Sequence, residues 1–456
     1  MSLSGYSTAQ LAALSTSQLT ALRTSDLATL TSIQLAALST LGIKVLSAAQ
    51  IAALTPTALA GLSSRQTVVL STADIASLSS AQIRALSSED ATALTSSQVD
   101  AIGTIAALTT QAFAALKPAA LTNLSTTNAA SLTTAQYAVL NTAQLQALGS
   151  ADLLVLNTAQ FAALRTAELA ALNSTTVAAL ATASFKVLST AQLAAFSSVQ
   201  AAAITSAQFA TLSSQQDAAL RAEALAALAT NAISLLSPAD ISAFSTAQIT
   251  ALHTAQVAAL GSADLAALST AQLRAVSTGQ LVAMASLGVA AFGTAGVSAL
   301  STAQIHALSS PQITALSKAQ VSVLSTGQLA ALQTSQVPQL SSADVATFSN
   351  TQLAALSTAS IAALSTNQMV ALGSATVGAF STALLAALST ADIQVLTTAE
   401  LKTFSTAQIT SLTTAQFSAL TTTELAAFSK TQSSAILPAQ IKVLTGPHLL
   451  VLLSNS

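Results

Sequence analysis

The chain has 456 residues, of which only 6% are charged; its net charge is −2, and it contains no Cys and no Trp. So few charges leave no basic footprint for nucleic acid and no basic patch for an anionic membrane surface, and zero Cys excludes disulfides and thiolate metal sites. A mean hydropathy of +0.66 is high enough to suggest a membrane protein, yet polar Ser-Thr-x-Gln interrupts every apolar pair, so no run reaches the ~18 apolar residues of a spanning helix.

In chain order, Met1 to Tyr6 reads as the end of a repeat whose next copy is Ser7 to Leu14, STAQLAAL. That octapeptide recurs 12 times through Ile102, and 43 more copies run from Thr109 to Leu452. Between them Gly103 to Leu108 has lost two residues. Three segments are therefore expected: a more variable N-terminal octapeptide segment, 1–102; a short irregular repeat, 103–108, as a possible hinge; and a regular solenoid, 109–456. The stretch Ala285 to Ala295 lacks Gln, carries Gly288 and Gly293 with Gly296 just beyond, and reads as a soft spot. The C-terminal end, Leu449 to Leu453, is unusually apolar for a terminal repeat and is expected to dock onto something. No N-terminal signal peptide is visible, since Met1 to Tyr6 enters the array directly.

Each position of the octad has its own chemistry. Position 1 is usually Ser, Thr, Asn or Gly, the residues that cap helix N-termini. Position 4 is mostly Gln, Asp or Glu, which makes Ser-x-x-Gln a capping box. Pro56, Pro118, Pro238 and Pro438 fall at position 2, the first helical residue, where a missing N–H costs nothing. Pro311 and Pro447 fall at position 3, and only Pro338 lies deeper. Of the 15 acids, 11 stand at position 4, where an anion meets the positive end of the helix dipole. All 12 Phe fall at positions 5 or 8. The repeat thus reads as a cap followed by about two helical turns, with positions 5 and 8 inward and a small position 7 that lets a neighbouring helix approach.

One continuous helix is excluded because eight residues at ~3.6 per turn advance the apolar stripe by ~80° per repeat, so it never forms one face. A β-solenoid is excluded because the body of the repeat is Ala and Leu, strong helix formers, rather than alternating β-branched residues. Short helices are unstable alone in water and must stack. The expected fold is an all-α, elongated solenoid of short capped helices, one per octad, with two or three per turn. Phe196, Phe244 and Phe292 stand at intervals of six repeats and Phe380, Phe404 and Phe428 at intervals of three, which hints at three per turn.

No chemistry-bearing constellation emerges. His253, His306 and His448 fall at positions 1, 6 and 4 of widely separated repeats, as cap or surface residues rather than convergent ligands. Ser is everywhere because it caps helices, with no Gly-x-Ser-x-Gly elbow beside a base. Glu89-Asp90 is a local acidic pair at a helix start, and the glycines form no phosphate loop. No catalytic, cofactor-binding or metal-binding residue is expected, and no enzyme. The Ser-Thr dipeptides at positions 1 and 2 form a ladder of hydroxyls and methyls, read as capping and solubility, or as a surface for glycan, ice or a second chain.

Repeats such as Ser245–Leu252 (STAQITAL) and Ser405–Leu412 (STAQITSL) resemble the tandem Ala/Ser/Thr-rich octapeptide arrays of large proteobacterial secreted or surface proteins. The resemblance covers nearly the whole chain and transfers no site residue. Together with the near-uniform lateral surface, the apolar C-terminal end and the lack of any site, it leads to the expectation of an extracellular or cell-surface structural protein: a self-associating fibre, surface-layer or matrix component that forms homo-oligomers or filaments through its ends and lateral faces. The alternative is an adhesin stalk or an ice- or glycan-binding rod. Neither nucleic acid, nor a transmembrane segment, nor a small-molecule substrate is expected.

Overall fold

The computed structural model describes residues 3–455. Among them every regular element is helical, and there is no strand. The repeat Ser277 to Met284 shows how eight residues make one side of a turn. Ser277 is extended (φ −68°, ψ 156°), its Oγ accepts from the Gln280 N–H, and Gln280 Oε1 accepts from the Ser277 N–H, closing the capping box. Residues Thr278–Ala283 are then helical, and Met284 returns to extended backbone (φ −68°, ψ 142°). Two consecutive extended residues, at positions 8 and 1, therefore turn the corner between helices. Such a corner needs no left-handed residue, and no described non-glycine residue has positive φ. Only Gly293 (φ 66°) and Gly373 (φ 75°) turn the chain that way, whereas Gly149 and Gly261 cap helices from the extended region.

Three helices complete a turn. Within each of the two compact units described below, helices pack on helices three repeats away: Ser64–Thr67 on Thr40–Lys44 below and on Ser88–Ala93 above, for example. This settles the choice between two and three per turn, and the fold is an all-α repeat solenoid. The short repeat keeps its place in the count. Gly103 to Leu108 forms a 3-10 turn, Ile105–Ala107, that packs on Ser80–Ala85 and on Thr126–Ser131, with Ile105 and Leu108 buried where positions 5 and 8 belong. Contacts divide the chain into two compact units, Met1–Ala232 and Ile233–Ser456, each built in this way.

Positions 5 and 8 fill the core of each unit, as their apolar character requires. Ile249 and Leu252 are buried in one repeat and Ile409 and Leu412 in another; each such side chain contributes about 1.5–3 kcal/mol by leaving water. Phe185 and Phe196 meet in the core with ring centroids 6.1 Å apart. Prolines at positions 2 and 3 lie in the first helical turn, and Pro338 sits in a 3-10 turn, Val337–Gln339. The last helix, Gly446–Asn455, runs past its repeat boundary. Leu453 stands where a capping residue would restart the chain, and without that cap the helix continues.

Candidate functional site

The recurring polar structure of the fold is the corner where one turn rests on the next. Position 4 looks like a surface cap in the sequence, but most position-4 side chains are buried. Gln66 shows why. Its Oε1 accepts from the Ser63 N–H at 2.9 Å, while its Nε2 donates to the carbonyls of Leu35 (3.1 Å) and Leu38 (2.8 Å). Those carbonyls end the helix four repeats earlier, at the same corner one turn below. A helix C-terminus leaves carbonyls without intrahelical donors, and the glutamine amide satisfies them. Gln98, Gln144, Gln200, Gln312 and Gln416 make the same pair of bonds to carbonyls 28 and 30 or 31 residues back. One side chain thus caps the helix that starts above and the helix that ends below.

The acids at position 4 keep the first half of this arrangement and lose the second. Asp74 Oδ2 accepts from the N–H and hydroxyl of Ser71, both at 2.7 Å, but a carboxylate has no hydrogen to offer the carbonyls beneath. Neighbours compensate at two corners. Asp90, fully buried, receives the Thr67 hydroxyl on its second oxygen at 2.8 Å; Thr67 occupies a core position three repeats earlier. Glu168, also buried, is gripped by Arg165, whose Nε and one terminal nitrogen donate to the carboxylate at 3.0 and 2.8 Å. The same guanidinium donates to the carbonyl of Leu140, the position-8 acceptor that a glutamine in place of Glu168 would have taken. Asp152 has neither aid. Its cap is Gly149, which donates only its N–H, at 3.0 Å. Burial pushes the Asp152 carboxyl above its ordinary value; the Gly149 N–H opposes the shift and the charge of Asp100 adds to it.

Where position 4 is glycine, a core leucine fills the gap. A Cβ added at Gly288 would lie 2.2 Å from Leu265 Cδ1, and one at Gly42 would lie 2.8 Å from Leu19 Cδ1. Each leucine is the position-5 residue three repeats earlier, in the turn below.

The three histidines stay apart. His253 caps the helix Thr254–Ala258, His306 Nδ1 lies 3.0 Å from the Ala331 carbonyl, and His448 Nδ1 lies 3.4 Å from the Thr445 N–H. Glu89 and Asp90 lie in the first turn of Ser88–Ala93. Among the described residues no three His, Asp or Glu side chains gather as metal ligands, and no helix is long and apolar enough to cross a membrane.

Apolar exposure concentrates at one place that the sequence marks only in part. Leu437, Ile441, Val443, Leu450 and Leu453 are all exposed, Leu450 to 74% and Leu453 to 73%. Of these, Ile441 and Leu453 line a cavity of about 320 Å³ together with Ser433, Ser434, Ile436, Leu449 and Leu452.

No curated protein and no solved structure matches the chain. The ALTTAQ repeat model matches residues 67–104, 177–214, 257–294, 288–318, 337–374, 345–382, 385–422 and 393–430. These segments fall on the octads whose capped helices and glutamine corners are described above, and together they span half of the chain. The chain belongs to the ALTTAQ repeat family.

Proposed function

We propose that this chain is a structural protein, a self-associating component of an extracellular fibre, surface layer or matrix, with no catalytic role. The observation that carries this reading is the glutamine corner. Turn joins turn through one amide and the main-chain carbonyls of the turn below, repeated along the chain. Such a join asks nothing of a particular partner sequence, so a second copy satisfies it as well as the same chain does. The low charge supports the same reading, because weak self-repulsion lets copies approach. The lack of Cys suits an oxidising exterior, and the resemblance of the repeats to those of secreted and surface proteins supports that location.

Two measurements test the proposal. Electron microscopy of the purified chain should show assemblies larger than one molecule, and fractionation of the producing cells should recover the chain outside the cytoplasm. Uniform single particles at every concentration would replace this reading with that of an adhesin stalk or a glycan-binding surface. The feature that would then matter is the row of position-2 threonines, such as Thr278 and Thr406, which stand exposed while position 1 does the capping.

A further inference from the structure

One corner inside the first compact unit is built without a glutamine and keeps a polar gap where the amide would be. In the repeat Asn173 to Leu180, position 4 is Thr176, which is 2% exposed. Asn173 Oδ1 accepts from the Thr176 N–H at 2.8 Å, so the helix keeps its cap. The carbonyls 28, 30 and 31 residues back are those of Leu148, Gln146 and Leu145, at the C-terminal end of the helix Thr142–Ala147. One turn above on the same edge, Gln200 Nε2 stands 2.8 Å from both of its carbonyls, those of Leu169 and Leu172. Thr176 has no amide and is too short to reach so far; its hydroxyl pairs with that of Ser150 at 2.9 Å. Where position 4 is Gly42 or Gly288 a leucine closes the gap. Here the gap stays open, as a cavity of about 80 Å³ with Leu145, Gln146, Leu148, Ser150, Asn173 and Thr176 on its wall. That is ample for a small ion, since one water needs only ~10–15 Å³ by the same measure.

We propose that this corner binds a monovalent cation of the size of potassium or ammonium in the place of the glutamine amide. The site does not depend on self-association. Its ligands are the carbonyls of Leu145, Gln146 and Leu148, oxygens of the kind that replace the hydration shell of potassium, together with the hydroxyls of Ser150 and Thr176. Spacing selects the size. A point 2.8 Å from two carbonyls, as Gln200 Nε2 is, is too distant for magnesium (~2.0–2.1 Å) or calcium (~2.3–2.6 Å), and both of those also favour carboxylate ligands. Charge selects the sign. Asp152 Oδ2 accepts from the Gly149 N–H at 3.0 Å, and that N–H shares a peptide group with the Leu148 carbonyl. A carboxylate on the N–H polarises the peptide and makes its oxygen a stronger ligand for positive charge. No charged side chain lines the cavity. The corner at Glu168 shows the same demand met from within the chain, where the Arg165 guanidinium takes the Leu140 carbonyl.

The test uses the full chain in chloride salts at one ionic strength. Tetramethylammonium is the reference cation, because its methyl groups hold the charge away from the carbonyls. Potassium and ammonium should each raise the wild-type melting temperature in a saturable way, and the larger rise identifies the preferred ion. Thr176→Gln supplies the amide found at other corners. It should melt above wild type in tetramethylammonium and gain less than wild type from potassium or ammonium. Ser150→Ala changes an exposed residue outside the capping pair, so it should fold as wild type does and need severalfold more potassium for the same rise. Crystals soaked in thallium(I), a heavy substitute for potassium, should show an anomalous peak beside the carbonyl oxygens of Leu145 and Leu148, and Thr176→Gln crystals should lack it. Equal gains in wild type and Thr176→Gln, or no thallium at this corner, would assign the cavity to water and overturn the proposal.

Discussion

Gln66 Nε2 lies 2.8 Å from the carbonyl oxygen of Leu38, 28 residues earlier in the chain. That separation is three repeats for one turn plus half a repeat, the path from the N-terminal end of one helix to the C-terminal end of the helix below its predecessor. The bond therefore exists only if three repeats close a turn, and it fixes the stacking of turns as well as the start of each helix. Apolar packing at positions 5 and 8 does not direct register in this way. Leucines and isoleucines slide against one another at little cost, whereas a buried carbonyl left without its amide is expensive.

The amide and the cap are separable. Gln280 accepts from the Ser277 N–H and donates to the carbonyls of Ile249 (2.9 Å) and Leu252 (2.7 Å). Gln280→Glu keeps the acceptor and removes the donor, so it is expected to destabilise its unit by about 1–3 kcal/mol at neutral pH. The measurement is the shift in urea midpoint. A variant as stable as wild type would mean that the amide-to-carbonyl bonds contribute nothing.

The register of the cap is tested at one repeat. Ser405 Oγ accepts from the Gln408 N–H at 3.3 Å, while Thr406 is the first helical residue and exposed. Ser405→Ala should cost about 1 kcal/mol, and Thr406→Ala much less. Equal losses in thermal denaturation would show that the cap is not at position 1.

Much of this fold is legible in the octad. Ser-x-x-Gln announces the cap, the prolines mark the first helical turn, and the placement of every Phe at positions 5 and 8 identifies the core. The burial of position 4 is not legible in the same way. The octad alone does not say which repeat lies beneath which, so the second partner of each glutamine, four repeats back, is invisible locally. One signal is present: Asp and Glu serve as well as Gln in closing a capping box, yet Gln predominates at position 4, and only Gln carries a donor. Arg165 and Thr67 look like drift at tolerant positions until Glu168 and Asp90 are placed beside them. The apolar stretch Leu449 to Leu453 also stands out in the sequence.

Asp152 gives the fold a pH dependence of predictable sign. Burial, with Asp100 adding to it, raises its carboxyl above the ordinary value of 3.8. The folded chain then holds a proton that the unfolded chain has released, so the contribution of Asp152 to stability is greatest below pH 3.8 and is lost as pH rises through the folded-state value. Asp152→Gln removes this dependence and restores an amide at the corner. Gly149→Ser should weaken the dependence by adding the hydroxyl donor that Ser71 gives Asp74. Gly149 has φ −71°, open to any residue, and a Cβ there would lie 3.7 Å from Asp152 Oδ2. Melting temperatures between pH 4 and pH 8 check both variants. If wild type and Asp152→Gln show parallel profiles, Asp152 is not the titrating group.

The corner at Glu168 offers a test of whether the lock is a matter of donors rather than of particular residues. Glu168 is 1% exposed, and Arg165 is its ion-pair partner at 2.8 Å. Arg165 also donates to the Leu140 carbonyl, so a single guanidinium neutralises the acid and replaces the missing amide. Arg165→Ser should therefore lose more than an exposed ion pair, whose worth is about 0–1 kcal/mol; it strands a buried carboxylate and a carbonyl together, and a loss of about 3 kcal/mol is expected. Glu168→Gln alone should be milder, because the new amide can reach the Leu140 carbonyl while Arg165, 55% exposed along its side chain, turns to solvent. Arg165→Ser with Glu168→Gln recreates the Ser-x-x-Gln found at the other corners and should recover wild-type stability or exceed it. A double-mutant cycle read by urea denaturation gives the coupling directly. Strong coupling, with the double variant restored, identifies donor supply as the rule that joins the turns; additive losses at the two sites would refute it.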